Sequence, residues 1–201
     1  MDENRERYQS AVVLPFRNLL EEVAPAVLKL DERFETMGRR GANFSRINRD
    51  IRFAKDKTLY KTQMYLKFSV PFPGDRESGQ LYAGISTDTV TAGFRIYSGP
   101  KRKESSLALI AAPRIAKSPQ WLAQQKRRLG KRYESYWYST AKGQWTKHEG
   151  WPTSEDWRKL QGWIVRRKLS PAAAMRANFP SELAKILRDV FPLLRFTSLD
   201  G

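Results

Sequence analysis

The sequence contains no cysteine and a single histidine. Without cysteine the chain has no disulfide framework, no thiolate zinc site and no cysteine nucleophile, which fits a reducing compartment. The lone His148 stands between Lys147 and Glu149, a polar setting typical of a surface histidine. We therefore predict neither a metal site nor a cofactor.

Long apolar runs are also missing, since no stretch approaches the ~20 residues that span a bilayer. The charged N-terminus, MDENRERYQS, lacks the apolar centre of a signal peptide. We expect a soluble, cytoplasmic protein without membrane insertion. The nucleophile elbow G-x-S-x-G and the phosphate loops G-x-x-x-x-G-K-[ST] and G-x-G-x-x-G are absent as well. Whether the chain is an enzyme therefore stays open.

Positive charge, in contrast, is abundant and unevenly distributed. The 37 lysines and arginines outnumber the 21 acidic residues, and the formal net charge is +16. Residues 39–61 carry 8 basic and 2 acidic side chains, and residues 101–150 carry 12 and 3. A field of this sign attracts nucleic acid, anionic lipid or phosphorylated ligands.

Hydrophobic periodicity predicts helices at both ends of the chain and strands between them. Residues 7–34 show helical spacing, and we expect Pro15 and Pro25 to break or kink this helix. The sequence GRRG, Gly38–Gly41, is expected to be a flexible basic connection. Alternation with a period of two predicts strands at 47–53, 63–70, 81–85, 90–96 and, less cleanly, 163–169.

Further helix starts are predicted at Ser118-Pro119, Ser170-Pro171 and Pro180-Ser181. Residues 133–151 are aromatic without a clean period, and they form either a strand pair or an irregular packed segment. The expected fold is α+β, with an antiparallel sheet of about four or five strands packed against N-terminal and C-terminal helices. Residues 1–201 are expected to form one domain.

The stretch from Ile47 to Lys61 has the densest charge. On a strand, Arg46, Asn48, Asp50 and Arg52 share one face, which places two guanidinium groups on that face with Asp50 between them. Arginine suits bidentate recognition of phosphate or carboxylate, and a tyrosine hydroxyl can donate to the same anion. The candidate anion-binding residues are Arg46, Arg49, Arg52, Lys55, Lys57, Tyr60 and Lys61.

Two other interpretations of this stretch stay open. The carboxylates of Asp50 and Asp56 pair internally with the arginines, or they serve as acid and base in an enzyme that acts on an anionic substrate. A basic protein-interaction module is a third possibility. The leading prediction is binding of a phosphorylated or polyanionic partner, with nucleic acid among the candidates.

A second basic patch precedes the aromatic segment 133–151. Cations beside aromatic rings are able to follow a nucleic-acid backbone and stack its bases, although aromatic residues more often pack in a core. The patch consists of Lys126, Arg127, Arg128, Lys131 and Arg132.

The central stretch also resembles the motif R-x-x-R-D-x-R-F, followed by D-K-x-x-Y, of an uncharacterised family of bacterial and fungal conserved hypothetical proteins, a domain of unknown function. The matching residues are Arg46, Arg49, Asp50, Arg52, Phe53, Asp56, Lys57 and Tyr60. A proline often precedes the motif tyrosine, and Leu59 stands there in this chain. The resemblance implies that the motif is central, and it implies no reaction.

Overall fold

A computed structural model describes residues 4–48, 58, 60–70, 79–98, 107–141 and 144–198. It contains one antiparallel sheet in the order β1-β2-β3-β6-β4-β5. The strands are β1 Gln63–Phe68, β2 Gln80–Ser86, β3 Val90–Tyr97, β4 Glu134–Ala141, β5 Gln144–Glu149 and β6 Gly162–Leu169. The first three strands form a meander, and β6 then returns to pair with β3.

The helices confirm the predicted α+β class. They are α1 Arg5–Tyr8, α2 Leu14–Leu28, α3 Ala112–Lys117, α4 Gln120–Leu129 and α5 Phe179–Ser198. Short 3-10 turns occupy Gly130–Arg132, Asp156–Lys159 and Pro171–Met175, so the helix predicted after Ser170 is only a turn. No helix in the described ranges is long and apolar enough to cross a membrane.

The sheet has six strands, more than the four or five expected, because residues 134–149 form the hairpin β4-β5. The predicted strand 47–53 is seen only at its start, where Asn48 forms an isolated bridge with Tyr60. Residues 49–53 lie outside the described part of the chain.

Proline has a smaller effect on the helices than we predicted. A π-helical turn, Gln9–Val13, joins α1 to α2 just before Pro15, and another, Leu107–Ala111, leads into α3 before Pro113. A wider turn relieves the clash between a proline ring and the carbonyl four residues earlier. Helix α2 continues through Pro25, which is only three residues from its end at Leu28.

One face of the sheet packs against α2 and α5 to form the hydrophobic core. The predicted apolar stripes of both helices are buried there, with Val23 and Val27 from α2 and Leu187 and Val190 from α5 fully inaccessible. They meet alternate residues of the strands, namely Leu66, Phe68, Leu81, Ala83, Ala92, Phe94, Trp163 and Val165.

The opposite face has glycine at three central positions. Gly84, Gly93 and Gly162 lie in β2, β3 and β6, and larger side chains on neighbouring strands extend over two of them. A Cβ atom on Gly84 would lie 2.7 Å from the ring of Tyr65, and one on Gly162 would lie 2.8 Å from the ring of Tyr97. The missing side chains let aromatic residues cross the sheet surface.

We predict that Gly93→Ala lowers the free energy of unfolding by about 2–3 kcal/mol, because the added methyl group overpacks the sheet. It would approach the Val165 carbonyl oxygen and lie 2.6 Å from Arg166 Cα, both of them backbone atoms that cannot rotate away. Urea denaturation measures the loss. Gly84→Ala is the matched control, since its nearest contacts are side chains of Tyr65, Gln63 and Thr91. Equal losses in the two variants would contradict this explanation.

Burial raises the pKa of Tyr136, an effect that neighbouring Arg166 partly offsets. The phenol therefore keeps its proton in the folded state at pH values where the unfolded chain loses it. Its contribution to stability is complete below about pH 10, the ordinary value for tyrosine, and it is lost as pH rises further. We expect the stability difference between wild type and Tyr136→Phe to narrow above that pH in urea titrations. A difference that grows with pH would contradict the assignment.

Candidate anion-binding site

The connection between α2 and the sheet is anchored by the side chain of Asn43, which is 0% exposed. Its Oδ1 accepts hydrogen bonds from the backbone N–H groups of Gly38, at 3.0 Å, and Arg39, at 3.3 Å. Its Nδ2 donates to the carbonyl oxygens of Glu35, at 2.6 Å, and Lys67, at 3.0 Å. Four bonds from one amide thus hold the GRRG connection against β1, where the sequence predicted a flexible link.

Residues 44–48 then run along the outer edge of β1. Phe44 forms an isolated bridge with Leu66. Ser45 donates its N–H to the Tyr65 carbonyl at 3.0 Å, and its hydroxyl accepts from the Tyr65 N–H at 3.0 Å. This pairing sets the position of Arg46, the first arginine of the motif.

Backbone contacts also bring together the two ends of the stretch Ile47–Lys61. Asn48 pairs with Tyr60, and the Lys61 N–H donates to the Ile47 carbonyl at 2.8 Å. Arg46, Tyr60 and Lys61 are all exposed. Three of the predicted anion-binding residues therefore lie where the two ends of this stretch meet. The other candidates lie outside the described residues: Arg49, Asp50, Arg52, Lys55, Asp56 and Lys57.

A cleft of about 440 Å³ lies between the N-terminal helical segment and this edge. Its apolar lining includes Phe16, Phe44 and Met64, and its polar lining includes the hydroxyl-bearing side chains of Tyr8 and Ser45. Three arginines complete the charged part of the lining, namely Arg17, Arg40 and Arg46. Clefts of several hundred cubic ångströms that combine apolar walls with converging polar groups are typical of small-ligand sites, and the lining of this one is about equally polar and apolar. We call it the arginine cleft.

The charge of the arginine cleft is not neutralised by the described residues. None of its three guanidinium groups makes an ion pair or a side-chain hydrogen bond with another described residue, and no described carboxylate lines it. The two carboxylates that accept ion pairs in the preceding connection bind other arginines. Asp31 pairs with Arg33 at 2.7 Å, and Glu35 pairs with Arg39 at 3.5 Å.

The ion pair at Asp31 illustrates this local distribution of charge. The hydrogen bond from Arg33 lowers the pKa of Asp31, although partial burial opposes the shift. Arg33 and Arg39 bind the two carboxylates of this connection. Arg17, Arg40 and Arg46 make no ion pair with a described residue, so their donor groups are free within the described part of the chain.

Sequence reasoning missed two of the three arginines. Arg17 lies on the polar face of α2, and Arg40 belongs to the GRRG connection. Their proximity to Arg46 depends on how the helix packs against the edge of β1, and local sequence patterns do not predict this packing. The burial of Asn43 had no sequence signal either.

The second basic patch is exposed at the end of α4 and in the turn Gly130–Arg132. Its Arg128 donates to the Asp189 carbonyl of α5, and the Tyr133 hydroxyl donates to the Asp189 carboxylate at 2.8 Å. This patch therefore lies on the helical side of the sheet. Tyr136 and Tyr138 project to the other side, so the structure does not bring the patch and these aromatic residues together.

His148 is half-buried, which differs from the expected surface position. Its ring stacks on Trp137 with centroids 3.9 Å apart, and its Nε2 lies 2.8 Å from the Ser139 hydroxyl. This is the spacing of a nucleophile and a base, but no described carboxylate makes a hydrogen bond to the ring. The described residues contain no group of three histidine or acidic side chains suited to a metal ion.

Comparison with known proteins gives one match. The model of a family described as conserved hypothetical protein (DUF2461) matches residues 1–196. No curated protein and no solved structure matches the chain.

We predict that Asn43→Ala lowers the free energy of unfolding by about 2–4 kcal/mol, because it leaves buried backbone groups without partners. Thermal or urea denaturation measures the loss. The control is Asn18→Ala, which removes an exposed amide on α2 and is expected to change stability by less than about 0.5 kcal/mol. A near-neutral Asn43 variant would mean that this amide does not anchor the connection.

Proposed function

The chain belongs to the DUF2461 family of conserved hypothetical proteins, and we propose that it binds a phosphorylated or polyanionic partner through the arginine cleft. The observation that carries this proposal is the set of three arginines, Arg17, Arg40 and Arg46, around one cleft without a described carboxylate. Binding would supply the acceptor oxygens that these donors lack within the described residues.

Arginine favours phosphate over other polar ligands at such a site. Its planar guanidinium donates two parallel hydrogen bonds to a phosphate or carboxylate, and these charge-assisted bonds are about twice as strong as neutral ones. The excess of basic residues, with a formal net charge of +16, concentrates anions near the surface.

The apolar lining narrows the chemical class of the partner. Phe16, Phe44 and Met64 offer surface that a free inorganic anion cannot use. A small phosphorylated ligand with an apolar part would contact both the arginines and this lining. A longer polyanion would extend from the cleft toward Tyr60 and Lys61, which adjoin Asn48 and Ile47.

The enzymatic alternative is not favoured by a specific observation. Its proposed acid and base, Asp50 and Asp56, lie outside the described residues, and their roles stay predictions. The arginine cleft supports binding directly, and an anion held there would also be placed beside the motif.

We expect wild-type protein to bind pyrophosphate in isothermal titration calorimetry at low ionic strength. Arg46→Ala should weaken binding roughly 10- to 150-fold, which corresponds to the ~1.5–3 kcal/mol of a charge-assisted hydrogen bond. Arg46→Lys keeps the charge and loses the bidentate geometry, so we expect an intermediate affinity.

The matched control is Arg176→Ala, which removes an exposed arginine just after the 3-10 turn Pro171–Met175, away from the cleft. Binding that is absent in the wild type, or that falls equally in Arg46→Ala and Arg176→Ala, would contradict the proposal. The second result would show a diffuse effect of net charge. Circular dichroism of each variant separates loss of binding from loss of folding.

A further inference from the structure

The sheet face turned away from α2 and α5 is rich in aromatic and cationic side chains. Strand alternation and the registers of neighbouring strands place them on this one face. The aromatic members are Tyr65, Tyr82, Tyr97, Tyr136, Tyr138 and Trp145. We call this surface the aromatic face.

Three of its rings form a partly exposed cluster across four strands. Tyr97 in β3 lies over Gly162 in β6 and reaches Tyr138 in β4, with ring centroids 5.8 Å apart. Trp145 in β5 is 5.5 Å from Tyr138 and 6.3 Å from Tyr97. Tyr97 is 41% exposed and Trp145 is 38% exposed, and Tyr138 is half-buried. We call Tyr97, Tyr138 and Trp145 the aromatic triad.

Cations are interleaved with the rings. The Arg95 guanidinium lies 4.8 Å from the centre of the Tyr65 ring and 4.9 Å from that of Tyr82. The Lys147 ammonium lies 4.3 Å from the centre of the Tyr136 ring. These cation–π contacts hold both charges near the surface of the sheet. Lys147 is also paired with Glu149, whereas Arg95 makes no ion pair with a described residue.

Acidic groups are too few to balance this face. Its described strands carry two carboxylates, Glu134 and Glu149, which pair with Arg166 and Lys147. The remaining strand cations on this face are Lys67, Arg95 and Lys168. Burial lowers the pKa of Lys67, and neighbouring Arg95 and Lys61 lower it further, as expected where positive charges crowd.

We propose that the aromatic face binds single-stranded nucleic acid, with bases stacking on the aromatic triad and phosphates bound by Arg95 and the other cations of this face. Every base has an aromatic surface, so exposed rings beside cations form a platform that tolerates any sequence. A second copy of the chain would bring two positive faces together, and a duplex keeps its base faces stacked inside the helix. The net charge and the exposed rings therefore favour a single strand.

This surface is separate from the arginine cleft and does not depend on it. The cleft adjoins β1 at one edge of the sheet, whereas Trp145 lies in β5 at the other edge. Five interstrand spacings of ~4.8 Å separate these edges by about 24 Å along the sheet. A substitution in one surface thus leaves the side chains of the other in place.

Fluorescence anisotropy with a short labelled oligo(dT) or oligo(rU) tests the proposal at low salt. Wild type should bind, and Trp145→Ala should weaken binding roughly five- to a hundredfold, the usual effect of removing one stacked aromatic. Trp145→Phe keeps a ring and should restore most of the affinity. Tyr97→Ala should weaken binding within the same range.

The salt dependence of oligonucleotide binding distinguishes base stacking from electrostatic attraction. Arg95→Gln should reduce the slope of log affinity against log salt by about 0.7, the loss of one single-strand phosphate contact, whereas Trp145→Ala should leave the slope unchanged. The control Met175→Ala removes a side chain that is 87% exposed elsewhere and should bind as wild type does. Arg46→Ala should also retain binding, which distinguishes this surface from the arginine cleft.

Two results would overturn the inference. One is the absence of single-strand binding by folded wild-type protein at low salt. The other is binding that Trp145→Ala and Tyr97→Ala leave unchanged and that duplex DNA matches in affinity, because this would show charge attraction without stacking. Circular dichroism verifies that each variant is folded, and Trp145→Phe tests stacking with little change in shape.

Discussion

The buried amide of Asn43 is the contact on which the edge of the sheet and the arginine cleft depend. Its four hydrogen bonds join the connection after α2 to β1, and a buried polar group of this kind is stable only when its partners are all present. Because the amide fixes the connection, Arg40 and Arg46 lie beside Arg17 of α2. Local hydrogen bonding thus determines where the positive charges of the cleft are placed.

The distribution of ion pairs then distinguishes structural arginines from available ones. Arg33, Arg39 and Arg166 each pair with a carboxylate. Their partners are Asp31 and Glu35 near the arginine cleft and Glu134 on the aromatic face. Arg17, Arg40 and Arg46 have no such partner within the described residues. On the aromatic face, cation–π contacts hold the cations in place. Glycines in the neighbouring strands leave room for the rings.

Much of the fold follows from local sequence patterns. The strands around 81–85 and 90–96 were predicted because their core-facing residues alternate cleanly. The strand around 163–169 was predicted from a less regular alternation, and the stripe of α5 from its helical spacing. Residues 133–151 remained ambiguous because β4 has aromatic side chains on both faces, Trp137 toward the core and Tyr136 on the other side. A period of two is invisible where both faces are apolar.

The candidate site was less predictable, since it depends on long-range packing. The charged stretch pointed to Arg46, Tyr60 and Lys61, whereas Arg17 and Arg40 meet Arg46 in the cleft only through the packing of α2 against the edge of β1. The aromatic face required the order of the strands, because Tyr97, Tyr138 and Trp145 are far apart in sequence and meet across Gly162. Their separate spacings contain no signal of this arrangement.

A crystal structure of the protein with tungstate, an oxyanion that can be located by anomalous scattering, directly tests whether the arginine cleft binds oxyanions. We expect the anion in the arginine cleft, with its oxygens at about 2.7–2.9 Å from guanidinium nitrogens of Arg46 and of Arg17 or Arg40. An anion bound instead at the second basic patch, with the cleft arginines turned to carboxylates of the chain itself, would contradict it.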